Sequence, residues 1–167
     1  MSPLSHVLAA LVPVAVYVAS RDRRLPSRRV VGAATLGGVF PDLVDKPLAH
    51  SMFLLPNGRV GVHSLPVALP LVAVVLAYGW RTGRVRAAAA FGVGVVLHPA
   101  GDWHAHLLYG SFPPHLVWPL ASVPVKHVPG WSAYVPAWTA FATAVLGATA
   151  LVMLRDLRRH VRPKASG

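Results

Sequence analysis

Thirteen of the sixteen Lys and Arg residues fall in three clusters, and each cluster follows an apolar block. Arg21, Arg23, Arg24, Arg28 and Arg29 follow Leu4–Ser20; Arg81, Arg84 and Arg86 follow His63–Trp80; Arg155, Arg158, Arg159, Arg162 and Lys164 follow Ala133–Leu154. Two further apolar blocks, Val30–Leu43 and Ala87–Leu97, lie between them. Several blocks approach the roughly 20 residues that a bilayer-spanning helix needs. The chain is 54% hydrophobic and 13% charged with mean hydropathy +0.53, whereas an ordinary soluble domain is roughly 25% charged. The pattern predicts an all-α, polytopic membrane helix bundle of about five transmembrane helices. It reads as a single integral-membrane domain over 1–167 with a basic cytoplasmic tail at 155–167.

Orientation follows from the same clusters. If all five blocks span, the three basic clusters share one face, which the positive-inside rule makes cytoplasmic. The N-terminus is then outside and the C-terminus cytoplasmic, a multi-pass topology in the cell membrane. The net charge of +11 also suits nucleic acid or anionic lipid headgroups. The spacing of the clusters is explained by topology, so no nucleic-acid partner is expected, while membrane lipids are. The second block is short, and Gly32, Gly37, Gly38 and Pro41 weaken it; extension toward His50 gives about 20 residues, roughly 30 Å of helix. The first block lacks a positive region ahead of it and reads as a retained helix, not a signal peptide.

This topology gathers the polar residues at the outer face. Asp42 and Asp45 end the second block, His63 begins the third, His98 and Asp102 end the fourth, and His6 lies near the start of the first. An ionised carboxylate among apolar segments is expensive unless paired, protonated or bound to a metal. His98 and Asp102 are one helical turn apart on one face, as are Asp42 and Asp45. The chain has no Cys, so any metal is held by imidazole and carboxylate, which suits a divalent ion such as zinc or manganese. The candidate ligands are His6, Asp42, Asp45, His63, His98 and Asp102. Each also has a plainer reading: His98 bonded to Asp102 across a turn, Asp42 and Asp45 paired with Lys46 or Arg59, His6 at the interface. His50, His104, His106, His115, His127 and His160 read as solvated loop or tail residues. Trp103, Tyr109, Trp118, Trp131 and Tyr134 suit an interfacial aromatic belt.

The polar segments occur in a familiar order: His6, Pro41-Asp42-Leu43-Val44-Asp45, Arg59-Val60-Gly61-Val62-His63-Ser64, His98-Pro99-Ala100-Gly101-Asp102 and Trp118-Pro119. Over roughly residues 1 to 122 they resemble the YdjM-like membrane-bound metal-dependent hydrolases. That family carries an early His, a Pro-Asp-x-Asp-type segment, a His-Arg-Gly-x-Thr-His-Ser segment, a His-x-x-x-Asp segment and a Trp-Pro. Gly58 and Val62 stand where the third pattern has His and Thr, and the two aspartates are one residue further apart than usual. Pro99 and Gly101 interrupt the fourth segment, and Pro99 disfavours helical geometry at His98.

The resemblance implies a metal-dependent hydrolase, and the residue types agree. Imidazoles and carboxylates that leave one coordination position open activate water and polarise a phosphoryl or acyl oxygen. Asp45 or Asp42 would orient the water or act as base, and Arg59 would bind a developing anion; Asp45 and Arg59 are the catalytic candidates. No Gly-x-Ser-x-Gly, His-Glu-x-x-His or P-loop is present, which leaves serine-hydrolase, zincin and nucleotide-driven chemistry without support. A site at the outer interface points to a lipid-like or phosphoester substrate. A non-catalytic membrane scaffold and a proton- or ion-coupled transporter with a structural His/Asp cluster remain alternatives.

Overall fold

A computed structural model describes residues 3–126, together with Ala137 and Ala140. Apart from those two alanines, the fifth apolar block lies outside the described residues, as do the basic tail, Trp131, Tyr134, His127 and His160. The described chain is all-helical: α1 (Pro3–Asp22), α2 (Arg28–His50), α3 (Leu65–Arg81), α4 (Val85–Asp102) and the short α5 (His104–Leu108), with 3-10 turns at Gly61–His63 and Pro114–Val117. Helix α2 packs against α1 and α4, α1 also touches α4, and α3 lies along α4.

Helix α2 runs without a break through Pro41, Asp42 and Pro47 to His50, so the extended version of the second block is the observed one. Its start is capped by the Ser27 hydroxyl, which accepts from Val30 N at 3.4 Å. Helix α4 likewise continues through Pro99 to Asp102, contrary to the break expected there. The proline ring forfeits one backbone hydrogen bond, but the next turn is closed by Trp103 N donating to Pro99 O at 2.9 Å. His63 does not begin α3. It sits in a 3-10 turn, and the helix starts two residues later, with Pro66 in its first turn, where a missing N–H costs nothing.

Among the described helices, α1 alone is long and apolar enough by composition to cross a membrane, over Leu4–Asp22. The five-span expectation is therefore matched only in its helical class. Helix α2 carries Asp42, Asp45 and Lys46; α3 stops at 17 residues; and the His98–Asp102 end dilutes the apolar run of α4.

Glycine sets how closely the helices approach. A Cβ on Gly94 of α4 would stand 2.5 Å from Gly38 N and 2.7 Å from Ala34 O; one on Gly37 of α2 would stand 2.1 Å from Phe91 O. The α2 and α4 backbones thus touch, the use of small residues expected where apolar burial alone supplies little attraction between helices in lipid. On either side of this seam lie two apolar clusters, Val14, Val30, Ala34 and Ala90, and Val62, Ala68, Phe91 and Val95. Asp22 at the end of α1 accepts from Arg86 near the start of α4 at 2.6 Å, which brings the first two arginine clusters to one end of the bundle.

Because the atoms facing Gly94 are backbone, no side chain can move aside for a methyl group. Gly94→Ala should lower stability by about 1–3 kcal/mol or more, read as a fall in the thermal midpoint of detergent-purified protein. An unchanged midpoint would show that the seam is looser than described.

Candidate metal centre

The end of the bundle opposite the Asp22–Arg86 pair collects His6 from α1, Asp42 and Asp45 from α2, His63 from the 3-10 turn, and His98 and Asp102 from α4. All six sequence-derived ligand candidates are thus brought into one cluster. His6 and His98 are each 1% exposed and His63 is 0%.

Each imidazole is held by a definable contact. His98 Nδ1 lies 2.6 Å from the Gly38 carbonyl. A carbonyl only accepts, so Nδ1 carries the hydrogen and, in the neutral ring, Nε2 presents a lone pair. That contact exists because the glycine seam lets α4 approach the α2 backbone. His63 Nδ1 lies 2.6 Å from Asp45 Oδ2, and the same argument leaves its Nε2 as a lone pair. The Asp45 carboxylate also accepts from Val62 N and His63 N, each at 3.0 Å. Gly61 makes this turn possible: its φ is +74°, and a Cβ there would meet Asp45 Oδ1 at 2.6 Å. Asp45 therefore spends both oxygens on the turn and on His63, and holds the imidazole in place.

The two freed Nε2 atoms face each other at 3.0 Å. Two neutral rings would oppose lone pairs there, which either a metal cation or a proton on His63 relieves; against the cost of burial, the hydrogen bonds to Asp42 and Asp45 raise the His63 pKa to about 9. Asp42 Oδ1 is 3.5 Å from His63 Nε2 and 3.6 Å from His98 Nε2. Asp102 Oδ2 is 3.8 Å and 4.0 Å from the same two nitrogens. With bonds of 2.0–2.1 Å, a tetrahedral zinc-type site has ligand–ligand edges of about 3.3 Å, within the span of these separations. His6 Nε2 lies 3.3 Å from Asp102 Oδ1, the His6 and His98 rings stack at 3.8 Å, and His6 Nδ1 is buried with no hydrogen-bond partner among the described residues. Two triads result, Asp42–His63–His98 and His6–His98–Asp102. They share His98, whose single free nitrogen serves one ion. The residues present fit a metal ion, and these buried groups can hold one.

The plainer readings are partly realised too. Asp42 Oδ2 pairs with Lys46 Nζ at 2.6 Å. His98 and Asp102 are 4.0 Å apart, too far for the local hydrogen bond, because His98 has turned both nitrogens elsewhere. Arg59 is 53% exposed, with Nε 4.0 Å from Asp102 Oδ2 and its guanidinium 5.4 Å from the Trp103 ring centre. The widened Asp-Leu-Val-Asp spacing puts Asp42 beside the imidazole pair and Asp45, one turn on, beneath the His63 turn. Gly58 leaves room for the His50 ring, whose Nε2 would be 2.8 Å from a Cβ there.

Two residues depart from the sequence reading. Trp103 is buried, not interfacial, and His115 stacks on it at 4.7 Å instead of lying in solvent. Burial, with the Arg59 charge nearby, pushes the His115 imidazole below its usual pKa, so it is neutral at pH 7. Its position depends on the loop over the site, which is tied down by Lys126 N to Pro56 O at 3.0 Å and Asn57 Nδ2 to Pro124 O at 3.1 Å. No spacing rule links His115 to Trp103. His104 and His106 are exposed and bond locally to Gly101 O and Ser111 Oγ.

Fold and site define an all-helical protein with an imidazole–carboxylate cluster at one end of its bundle. The model of the YdjM inner membrane protein family matches residues 1–161; the chain belongs to that family and is an inner-membrane protein. Neither a curated protein nor a solved structure matches it.

Asp45→Asn would turn an amide donor toward the amides and the Nδ1–H that the carboxylate now accepts. Loss of such an orienting partner typically costs 10–100-fold in metal affinity, and that range is expected for zinc in titrations of the detergent-solubilised variant. Unchanged affinity with intact helicity would show that Asp45 does not position His63.

Proposed function

We propose that the protein is a membrane-embedded, metal-dependent hydrolase acting on a phosphoester of a lipid-like molecule at the outer membrane interface. The observation that carries this reading is the buried cluster in which the His63 and His98 Nε2 atoms lie 3.0 Å apart, with both Nδ1 atoms committed and Asp42 within 3.6 Å of each Nε2. Asp42, His63 and His98 would hold the ion, with His6 beside Asp102 at the edge of the set. Zinc suits imidazole and carboxylate donors best, and manganese is the second choice. Such an ion supplies Lewis-acid polarisation of a phosphoryl oxygen and activation of water.

The remaining residues divide the work. Asp45 fixes His63 and takes no part in proton transfer, since its oxygens already accept three hydrogen bonds. Asp102 lies between the imidazoles and Arg59 and is placed to take the proton of the attacking water. The water oxygen would bond to phosphorus as the ester P–O bond breaks, and the departing alkoxide would leave as the alcohol on taking that proton from Asp102. Arg59, half in solvent and braced over Trp103, meets the phosphate charge at the mouth.

The reading includes a five-span, multi-pass topology with the N-terminus outside. The described helices contain 20, 23, 17 and 18 residues, or roughly 26–35 Å at 1.5 Å per residue, comparable with a hydrocarbon core of about 30 Å. The arginine clusters at the end away from the His/Asp cluster support the orientation.

Hydrolysis of a phospholipid or a soluble aryl phosphate by the purified protein should stop on chelation and return with zinc or manganese. Arg59→Ala should keep the metal, since a guanidinium is not a ligand, and slow turnover by roughly 10²–10³, as for loss of one anion-stabilising donor. Turnover that survives both exhaustive chelation and Asp102→Ala would contradict the proposal.

A further inference from the structure

A second cavity lies at the other end of the bundle. It has a volume of about 680 Å³ and is bounded by α1, α2, α4 and the α1–α2 connection. His6 and Arg21 are 15 residues apart on α1, so along the helix the two regions are separated by roughly 20 Å. The walls are apolar, formed among others by Val14, Val18, Val30 and Val93, while Arg21, Arg24 and Arg86 stand at the rim.

The charge arrangement at this rim is built, not incidental. Asp22 accepts from Arg86 at 2.6 Å and lies 3.6 Å from Arg24 Nη2, so one carboxylate gathers two guanidinium groups beside Arg21. One negative charge against three positive ones leaves the rim cationic. Pro26 and Ser27 also line the cavity, which places the positive end of the α2 dipole beside it. Guanidinium groups favour planar, bidentate oxyanions such as phosphate. The volume is that of a small-molecule site, roughly 300–1,000 Å³, and the apolar walls suit hydrocarbon. A free anion would use only the rim; an amphiphile uses both.

We infer that this cavity is a binding site for an anionic phospholipid, with its phosphate at Arg21, Arg24 and Arg86 and acyl chain between α1 and α4. The site is independent of the His/Asp cluster and of any activity there. In a bilayer it holds a lipid of the leaflet facing the arginine-bearing end, and the occupant fills the cavity between α1 and α4 that the described residues line.

Native mass spectrometry of the full chain in detergent tests this, with dioleoyl-phosphatidylglycerol and dioleoyl-phosphatidylcholine supplied in equal amounts. Phosphatidylglycerol should be retained at least tenfold in preference. The preference should be lost in the double variant Arg21→Ala/Arg24→Ala, be kept in Arg21→Lys/Arg24→Lys, and be unaffected by Arg158→Ala/Arg159→Ala. Val93→Trp, which fills the apolar wall and leaves the rim intact, should reduce retention as well. Equal retention of the two lipids would overturn the inference. So would full competition by glycerol phosphate, which would show that only the rim binds. Disulfide formation between Val93→Cys and a cysteine placed in Ala133–Leu154, without lipid selectivity, would overturn it in favour of the chain's own apolar segment as occupant.

Discussion

The hydrogen bond between His98 Nδ1 and the Gly38 carbonyl, 2.6 Å long, is the contact on which the rest depends. It requires α2 and α4 to approach until their backbones touch, which Gly37 and Gly94 allow. It fixes the ring's tautomer, and so aims Nε2 at His63. It also ties the buried imidazole to α2, the helix that supplies Asp42 and Asp45. Helix packing and the electronic state of the site are therefore set by the same few atoms.

The polar cluster is costly, and magnitudes show what it needs. Removing an ion from water costs several kcal/mol even after relaxation, whereas an ordinary hydrogen bond returns about 0.5–1.5 kcal/mol. Asp42, Asp45 and Asp102 bring three carboxylates, which meet Lys46 at 2.6 Å, Arg59 at 4.0 Å and the imidazoles of His6 and His63. A metal ion held among the imidazoles, as proposed above, would add positive charge where these carboxylates converge. Asp45 satisfies its lone pairs with two backbone amides and an imidazole, the usual support behind a metal-bound histidine.

Much of this was legible in the sequence. The first four apolar blocks correspond to α1–α4, and the arginine clusters were enough to send His6, Asp42, Asp45, His63, His98 and Asp102 toward one end. Division of labour among them was not legible. Asp45 differs from Asp42 because the amides of the 3-10 turn at Gly61–His63 face it, and that turn depends on a positive φ. A proline in isolation argues for a helix break, yet α4 continues through Pro99 because its lost bond is local and the following turn closes. Trp103 reads as interfacial by type and position, but Arg59 and His115 cover it, and both arrive from distant segments. Local pattern carries helices and faces; contacts made by long-range loop closure it does not carry.

The central claim is that the facing imidazoles share one ion. Metal-edge X-ray absorption on zinc-loaded, detergent-purified protein, with the stoichiometry measured on the same sample, tests it most directly. One ion per chain in a nitrogen–oxygen shell containing at least two imidazoles is expected, with the ion lost in His98→Ala while helicity is kept. No stoichiometric ion after loading with zinc or manganese, or a bound ion whose shell lacks imidazole and survives His98→Ala, would contradict the account.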